Sequence, residues 1–102
     1  MKLFNKMKRY KKLNPSETTL VGEWYLADGR MQEDEICKRI KYLISSNLVK
    51  KATSDGGWSI LYQDKSDKRY WELSYPQSEM HGGGPPTLMN ISEKEAKAKY
   101  DF

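Results

Sequence analysis

Residues 48–75, LVKKATSDGGWSILYQDKSDKRYWELSY, decide the fold, because three strand-forming runs are separated by two stretches of turn residues. Leu48 to Thr53, Trp58 to Gln63 and Arg69 to Tyr75 carry the β-branched and aromatic bulk that suits a pleated surface. Ser54-Asp55-Gly56-Gly57 and Asp64-Lys65-Ser66-Asp67-Lys68 punctuate them. Connections this short join antiparallel neighbours, so the region is expected to be a meander of hairpins. In the middle run Trp58, Ile60 and Tyr62 share one face and Ser59, Leu61 and Gln63 the other, so one side is expected to pack on a helix. Trp24, Trp58 and Trp71 are expected core residues, although a chain of this size encloses only one or two of them fully.

Upstream, Leu20-Val21-Gly22-Glu23-Trp24-Tyr25-Leu26 is expected to form a first strand with Leu20, Trp24 and Leu26 on one face, ending at an Asp28-Gly29 turn. Between Gln32 and Ser46, Ile36, Ile40, Leu43 and Ile44 recur at the helical period with Cys37 beside them, after an acidic first turn of Glu33, Asp34 and Glu35. That pattern predicts an amphipathic helix of about four turns. Downstream, Thr87 to Ile91 is expected to be a last short strand. Ser92-Glu93-Lys94-Glu95 has the spacing of a capping box that opens a short helix through Lys99. The expected architecture is α+β: a small antiparallel sheet of four to five strands, the main helix packed on a face, and a short C-terminal helix.

The 102 residues suit one domain, and burial scaling allows about two-thirds of the unfolded surface to be enclosed. Apolar residues at 37% against 31% charged place the chain among globular rather than disordered sequences. A lone cysteine, Cys37, excludes an intramolecular disulfide and fits a reducing cytoplasm. No signal-peptide pattern and no run near the roughly 20 apolar residues of a membrane helix is present, so no membrane partner is expected. The net charge of +4 is unevenly placed: residues 1–12 hold six of the eighteen Lys and Arg and none of the fourteen acids, which leaves the remainder at −2. A flexible basic arm over residues 1–13 is therefore expected ahead of a single domain over 14–102.

The stretch from Tyr75 to Pro86, YPQSEMHGGGPP, is the least regular in the chain. Its glycines accept backbone angles that other residues avoid, and its prolines fix theirs. Gly82-Gly83-Gly84 is a weak phosphate cradle, since two prolines lacking N–H groups close it and no helix follows directly. His-Gly-Gly-Gly also occurs in lipase-type oxyanion loops, but no Gly-x-Ser-x-Gly elbow and no second histidine accompany it. His81 is the only histidine and Cys37 the only cysteine, too few for a zinc site without a cluster of carboxylates. Cys37 lies in the helix stripe, where a small buried hydrophobe is the plainer account. Glu72 and Glu79 are not at a spacing that fixes a catalytic separation. No catalytic, cofactor or metal residue is assigned, and an enzyme is not expected.

Several motifs taken together carry a resemblance. They are Asn14-Pro15 with Glu17-Thr18, Leu20-Val21-Gly22 with Trp24, Cys37 with Arg39 and Ile40, and Gly57-Trp58. Tyr70-Trp71-Glu72-Leu73, Tyr75-Pro76, Ser78-Glu79-Met80-His81-Gly82-Gly83-Gly84-Pro85-Pro86 and Ile91-Ser92 complete the set. From about residue 14 to 100 the sequence resembles the immunity protein 27 family. The resemblance implies a cytoplasmic, non-enzymatic inhibitor that binds a cognate bacterial polymorphic toxin domain, encoded nearby, in one-to-one non-covalent fashion. The toxin is expected to be of the kind that acts on nucleic acid, towards whose basic cleft the slightly acidic body would be steered. The contact residues expected under it are Tyr75, Glu79, His81, Gly82, Gly83 and Gly84, with Glu72, Glu33 and Asp34 as charged supports. A monomer or homodimer is expected when free, with no cofactor. The alternative from another class is a small nucleic-acid-binding protein that uses the basic arm, with Phe4 and Tyr10 for stacking; nucleic acid is not the expected partner.

Overall fold

The computed structural model describes residues 10–77 and 83–102. Five strands form one antiparallel sheet: β1 (Thr19–Val21), β4 (Leu48–Ser54), β5 (Ser59–Asp64), β6 (Tyr70–Ser74) and β7 (Thr87–Ile91). They lie in the order β1-β7-β6-β5-β4, while β2 (Trp24–Ala27) and β3 (Arg30–Glu33) make a separate two-stranded sheet. The helices are α1 (Glu35–Ser46) and α2 (Glu93–Lys99), and a 3₁₀ turn, Asp55–Gly57, joins β4 to β5. The expected meander is present as β4-β5-β6, the later strand pairs antiparallel with β6, and the architecture is α+β.

The pleat sends neighbouring residues of β5 to opposite faces, and a helix covers each face. On one, Tyr62, Trp71, Leu73, Leu88 and Leu20 pack with Ile40 and Leu43 of α1. On the other, Leu61 packs with Ala96 and Tyr100 from and beyond α2. The capping box of α2 forms as its sequence predicts, Glu95 N–H donating to Ser92 Oγ at 3.0 Å and Ser92 N–H to Glu95 Oε1 at 2.8 Å. Cys37 is a free, buried thiol in the α1 stripe. Burial, reinforced by the Asp34 carboxylate, pushes that thiol up to about 11 and keeps it protonated at neutral pH.

The first strand differs from its expectation. Instead of one run from Leu20 to Leu26, the chain breaks at Gly22-Glu23, so Leu20 is core while Leu26 is 70% exposed in the other sheet. The cause is crowding: a Cβ on Gly22 would lie 2.6 Å from Cys37 Sγ and 2.9 Å from the Pro86 carbonyl oxygen. Gly22 N–H donates to that same oxygen at 2.9 Å, turning the chain out of the main sheet. It then folds back on itself through Asp28 and Gly29, both at positive φ, which suits a two-residue hairpin loop. Consequently Gln32 and Glu33 belong to β3, and α1 begins at Glu35, three residues after its expected start at Gln32. Asp34 caps it, accepting from Cys37 N–H at 2.8 Å through Oδ1 and from Glu23 N–H at 3.1 Å through Oδ2. Burial works against that carboxylate, but the N–H groups of Cys37, Glu23 and Ile36 and the Cys37 thiol outweigh it and hold Asp34 below its ordinary range.

Candidate functional site: an aromatic groove beside the glycine loop

The turn between β4 and β5 builds one wall of a groove. Asp55, Gly56 and Gly57 all take positive φ, so the chain doubles back tightly before β5 starts. Ser59 Oγ donates to Asp55 Oδ2 at 2.8 Å and ties the turn. Trp58 stands at its exit and is 53% exposed, where alternation with Ile60 and Tyr62 predicts core. That core ends at Ile60, which is only partly covered.

The opposite wall comes from the end of β6 and the returning glycine loop. Tyr75 meets the Trp58 ring edge-on, with centroids 5.9 Å apart and planes at 82°. Gly83, at φ +92, brings its main chain against the indole; a Cβ there would sit 3.5 Å from the ring edge. Gly84, at φ +78, passes so near the Gln77 carbonyl that a side chain would collide with main chain. The loop is thus pinned at Gly84 on Gln77 and at Pro86 on Gly22. Between the walls lies a hollow of about 530 Å³ lined by Gly56, Gly57, Trp58, Ile60, Tyr75 and Gly83. Its size is that of a small-ligand or side-chain pocket. Aromatic faces and bare main chain bind by burial and by hydrogen bonding to backbone. Among the described residues no group of three or more His, Cys, Asp or Glu is placed to hold a metal ion.

The structure brings two of the expected contact residues, Tyr75 and Gly83, into this groove, with Gly84 directly behind them. Glu79, His81 and Gly82 lie outside the described residues. Glu72 points to the α2 face, where it accepts from Tyr100 Oη at 2.6 Å and pairs with Lys99 Nζ at 2.9 Å. Burial first, and then the Glu72 carboxylate, raises the Tyr100 phenol far above its ordinary range. Lys99 is raised by the hydrogen bond to Glu72 and also reaches Asp55 Oδ2 at 3.3 Å. Glu33 pairs with Lys41 on α1, and Asp34 is the helix cap. These three acids are thus engaged within the chain and do not converge on the groove.

Sequence reasoning missed Trp58, whose position immediately after Asp55-Gly56-Gly57 is the available signal that it precedes regular alternation. It also missed the β2–β3 hairpin, announced only by Asp28-Gly29.

The fold is that of a small α+β protein with an open aromatic groove beside its glycine loop. The family model for Immunity protein 27 matches residues 26–92, about two-thirds of the chain, and the protein belongs to that family. The matched span contains β3 through β7, the groove and the whole glycine loop; Asn14, Glu17, Gly22 and Trp24 precede it. Comparison with curated proteins and with solved structures finds no match.

Proposed function

We propose that this protein neutralises a cognate toxin domain by one-to-one, non-covalent binding, with the Trp58–Tyr75–Gly83 groove as the centre of the interface. Membership of an immunity family gives the role. The single observation that carries the site is a tryptophan 53% exposed on a rigid turn, edge-on to a tyrosine and backed by glycine main chain. Tryptophan and tyrosine dominate the energetic centres of protein interfaces, because they bury large area with little loss of side-chain freedom. Glu79, His81 and Gly82, which lie outside the described residues, are proposed contacts on the strength of the sequence motif they share with Gly83. The protein acts in the cytoplasm of the producing cell and has no catalytic step of its own. No helix among the described residues is long and apolar enough to cross a membrane.

The test is titration calorimetry against the candidate toxin domain encoded beside the chain, using the full chain and one lacking residues 1–12. The expected result is a one-to-one complex of nanomolar affinity or tighter with both. Absence of binding by either sinks the reading for that pair. Affinity that depends on residues 1–12 and falls steeply with salt would transfer support to the nucleic-acid-binding alternative.

A further inference from the structure

The β2–β3 hairpin leaves its apolar residues outside any core. Leu26 and Met31 face each other across the two strands and are 70% and 53% exposed, and Tyr25, on the other face, is 49% exposed. Two-stranded hairpins are marginal alone and gain stability when something covers a face. This one is tied to the body at its base, where Asp34 N–H donates to the Glu23 carbonyl at 3.0 Å, Asp34 Oδ2 accepts from Glu23 N–H, and Glu33 pairs with Lys41 of α1.

The hairpin is also continuous with the aromatic groove. Trp24 lines one hollow of about 180 Å³ with Met31, Gln32 and Glu33. It lines a second, of about 220 Å³, with Glu23, Gln77 and Pro85, which belong to or border the glycine loop. That loop then supplies Gly83 to the groove. All of these features occupy one end of the sheet, where β5 begins and β6 ends.

The charge at that end is opposite to that of the whole chain. Residues 23–35 hold five acids and one base, Arg30. Lys38 and Lys41 pair with Glu35 and Glu33. Counting both lysines, the hairpin end remains at −2 in a chain whose total is +4. Lys50, Lys51, Lys65 and Lys68 lie elsewhere, on the β4 edge and the turn between β5 and β6.

We infer that the β2–β3 hairpin is a second, separable half of the toxin-binding surface: its Leu26–Met31 pair enters an apolar socket at the rim of a basic cleft, and the occupant is a toxin domain whose own substrate is a polyanion such as nucleic acid. The inference rests on the inhibitor reading above and adds to it where the apolar anchor lies and what charge the partner bears. A finger of this kind excludes the polyanion by occupying the cleft's mouth, while its acids speed encounter with the basic partner.

Surface plasmon resonance with the catalytically silenced toxin domain tests it. Because both side chains are exposed, Leu26→Ser with Met31→Ser should leave the urea midpoint unchanged and weaken binding by about 30-fold or more, mainly through faster dissociation. Glu23→Lys with Asp28→Lys should slow association about tenfold and flatten its salt dependence. Lys50→Ser with Lys51→Ser, on the far edge, should stay within about threefold of the original. Hydrogen exchange gives a readout without substitution: amides of residues 24–33 should slow in the complex. If the unaltered chain binds while the Leu26→Ser, Met31→Ser chain keeps its affinity within about threefold and these amides do not slow, the hairpin assignment is overturned and the inhibitor reading stands. If the unaltered chain does not bind, the inhibitor reading falls and takes the hairpin assignment with it.

Discussion

At the end of the sheet where the chain enters the fold, almost every polar group is engaged. Glu17 takes both terminal guanidinium nitrogens of Arg39 at 2.7 Å, and Asn14 Oδ1 accepts from the N–H groups of Ser16 and Glu17 at 3.0 and 3.1 Å. Arg69 donates to the Glu17 and Asn14 carbonyls and to Asp67, and its guanidinium rests 4.8 Å from the centroid of the Trp71 ring. At the opposite end Trp58, Tyr75 and three glycines leave aromatic surface and main chain open. The same residue types serve two purposes: an aromatic roofed by a charged network fixes the fold, and an aromatic on a bare turn presents a surface.

The comparison breaks most sharply at the two tryptophans. Trp71 is fully enclosed and its Nε1 has no hydrogen-bond partner. Trp71→Ala should cost about 3–5 kcal/mol in urea unfolding, since the cavity lies between both sides of the β6 pairing and α1. The next largest effect should fall at the hinge between the two ends. Gly22→Ala forces a methyl group against Cys37 Sγ and the Pro86 carbonyl, and overpacking of that kind costs about 3 kcal/mol at the upper end. Adding Cys37→Ala relieves the thiol clash but not the backbone one, so the double variant should recover part of the loss. Gly56→Ala, with nothing within 4 Å but φ +65, should cost only about 1 kcal/mol. If the two glycine substitutions are equal, crowding is not what breaks the chain at Gly22.

A third effect separates the ends by pH. The hydrogen bonds from Arg39 hold Glu17 at about 2, against an ordinary 4.5, in spite of its partial burial. A carboxyl lowered on folding stabilises above its unfolded pKa, and that stabilisation is lost as pH falls from about 4.5 towards 2. Glu17→Gln should therefore lower stability at pH 7 by about 2 kcal/mol, the scale of a hydrogen bond to a charged group, and by almost nothing at pH 2. Parallel unfolding curves for the two chains across that range would show that the Arg39 pair contributes little. The pair at the groove's turn, Asp55 with Lys99 at 3.3 Å, is far more exposed than Glu17 with Arg39, so Trp58 variants should show a much weaker pH dependence.

What was legible in the sequence was local. The alternation of β5, the stripe of Ile40 and Leu43 and the Ser92–Glu95 box each place all their signal within a few residues, and each forms. The break at Gly22 was not legible, because Cys37 and Pro86, which crowd it, arrive from a helix and from the far end of the glycine loop. The acids of 33–35 look alike in sequence; only the hairpin reveals that one belongs to a strand and another caps the helix. Glu72 looked free to meet a partner because Lys99 and Tyr100, which take its charge, lie across the α2 turn. Tyr75 and Gly83 were legible as part of an irregular exposed surface because loop composition marks their position directly. Trp58 was not, since a period-two pattern says which face a residue shares but not where the covering core ends.

The smallest expected change in stability is the most informative. Trp58→Ala removes an edge contact with Tyr75, worth about 0.5–1.5 kcal/mol beyond the area it buries, and little else that is enclosed. It should therefore shift the urea midpoint far less than Trp71→Ala, while weakening toxin binding by about 2 kcal/mol or more, the scale of an interface centre. The two residues are the same side chain, one within β6 and the other on the turn that precedes β5, so composition and bulk are controlled between them. A Trp58→Ala chain that unfolds as readily as Trp71→Ala would make the groove a piece of core. One that folds and binds unchanged would move the interface away from the glycine loop altogether. Loss of binding with retention of fold is the only outcome under which an exposed tryptophan on a strained glycine turn has a function that its stability does not explain.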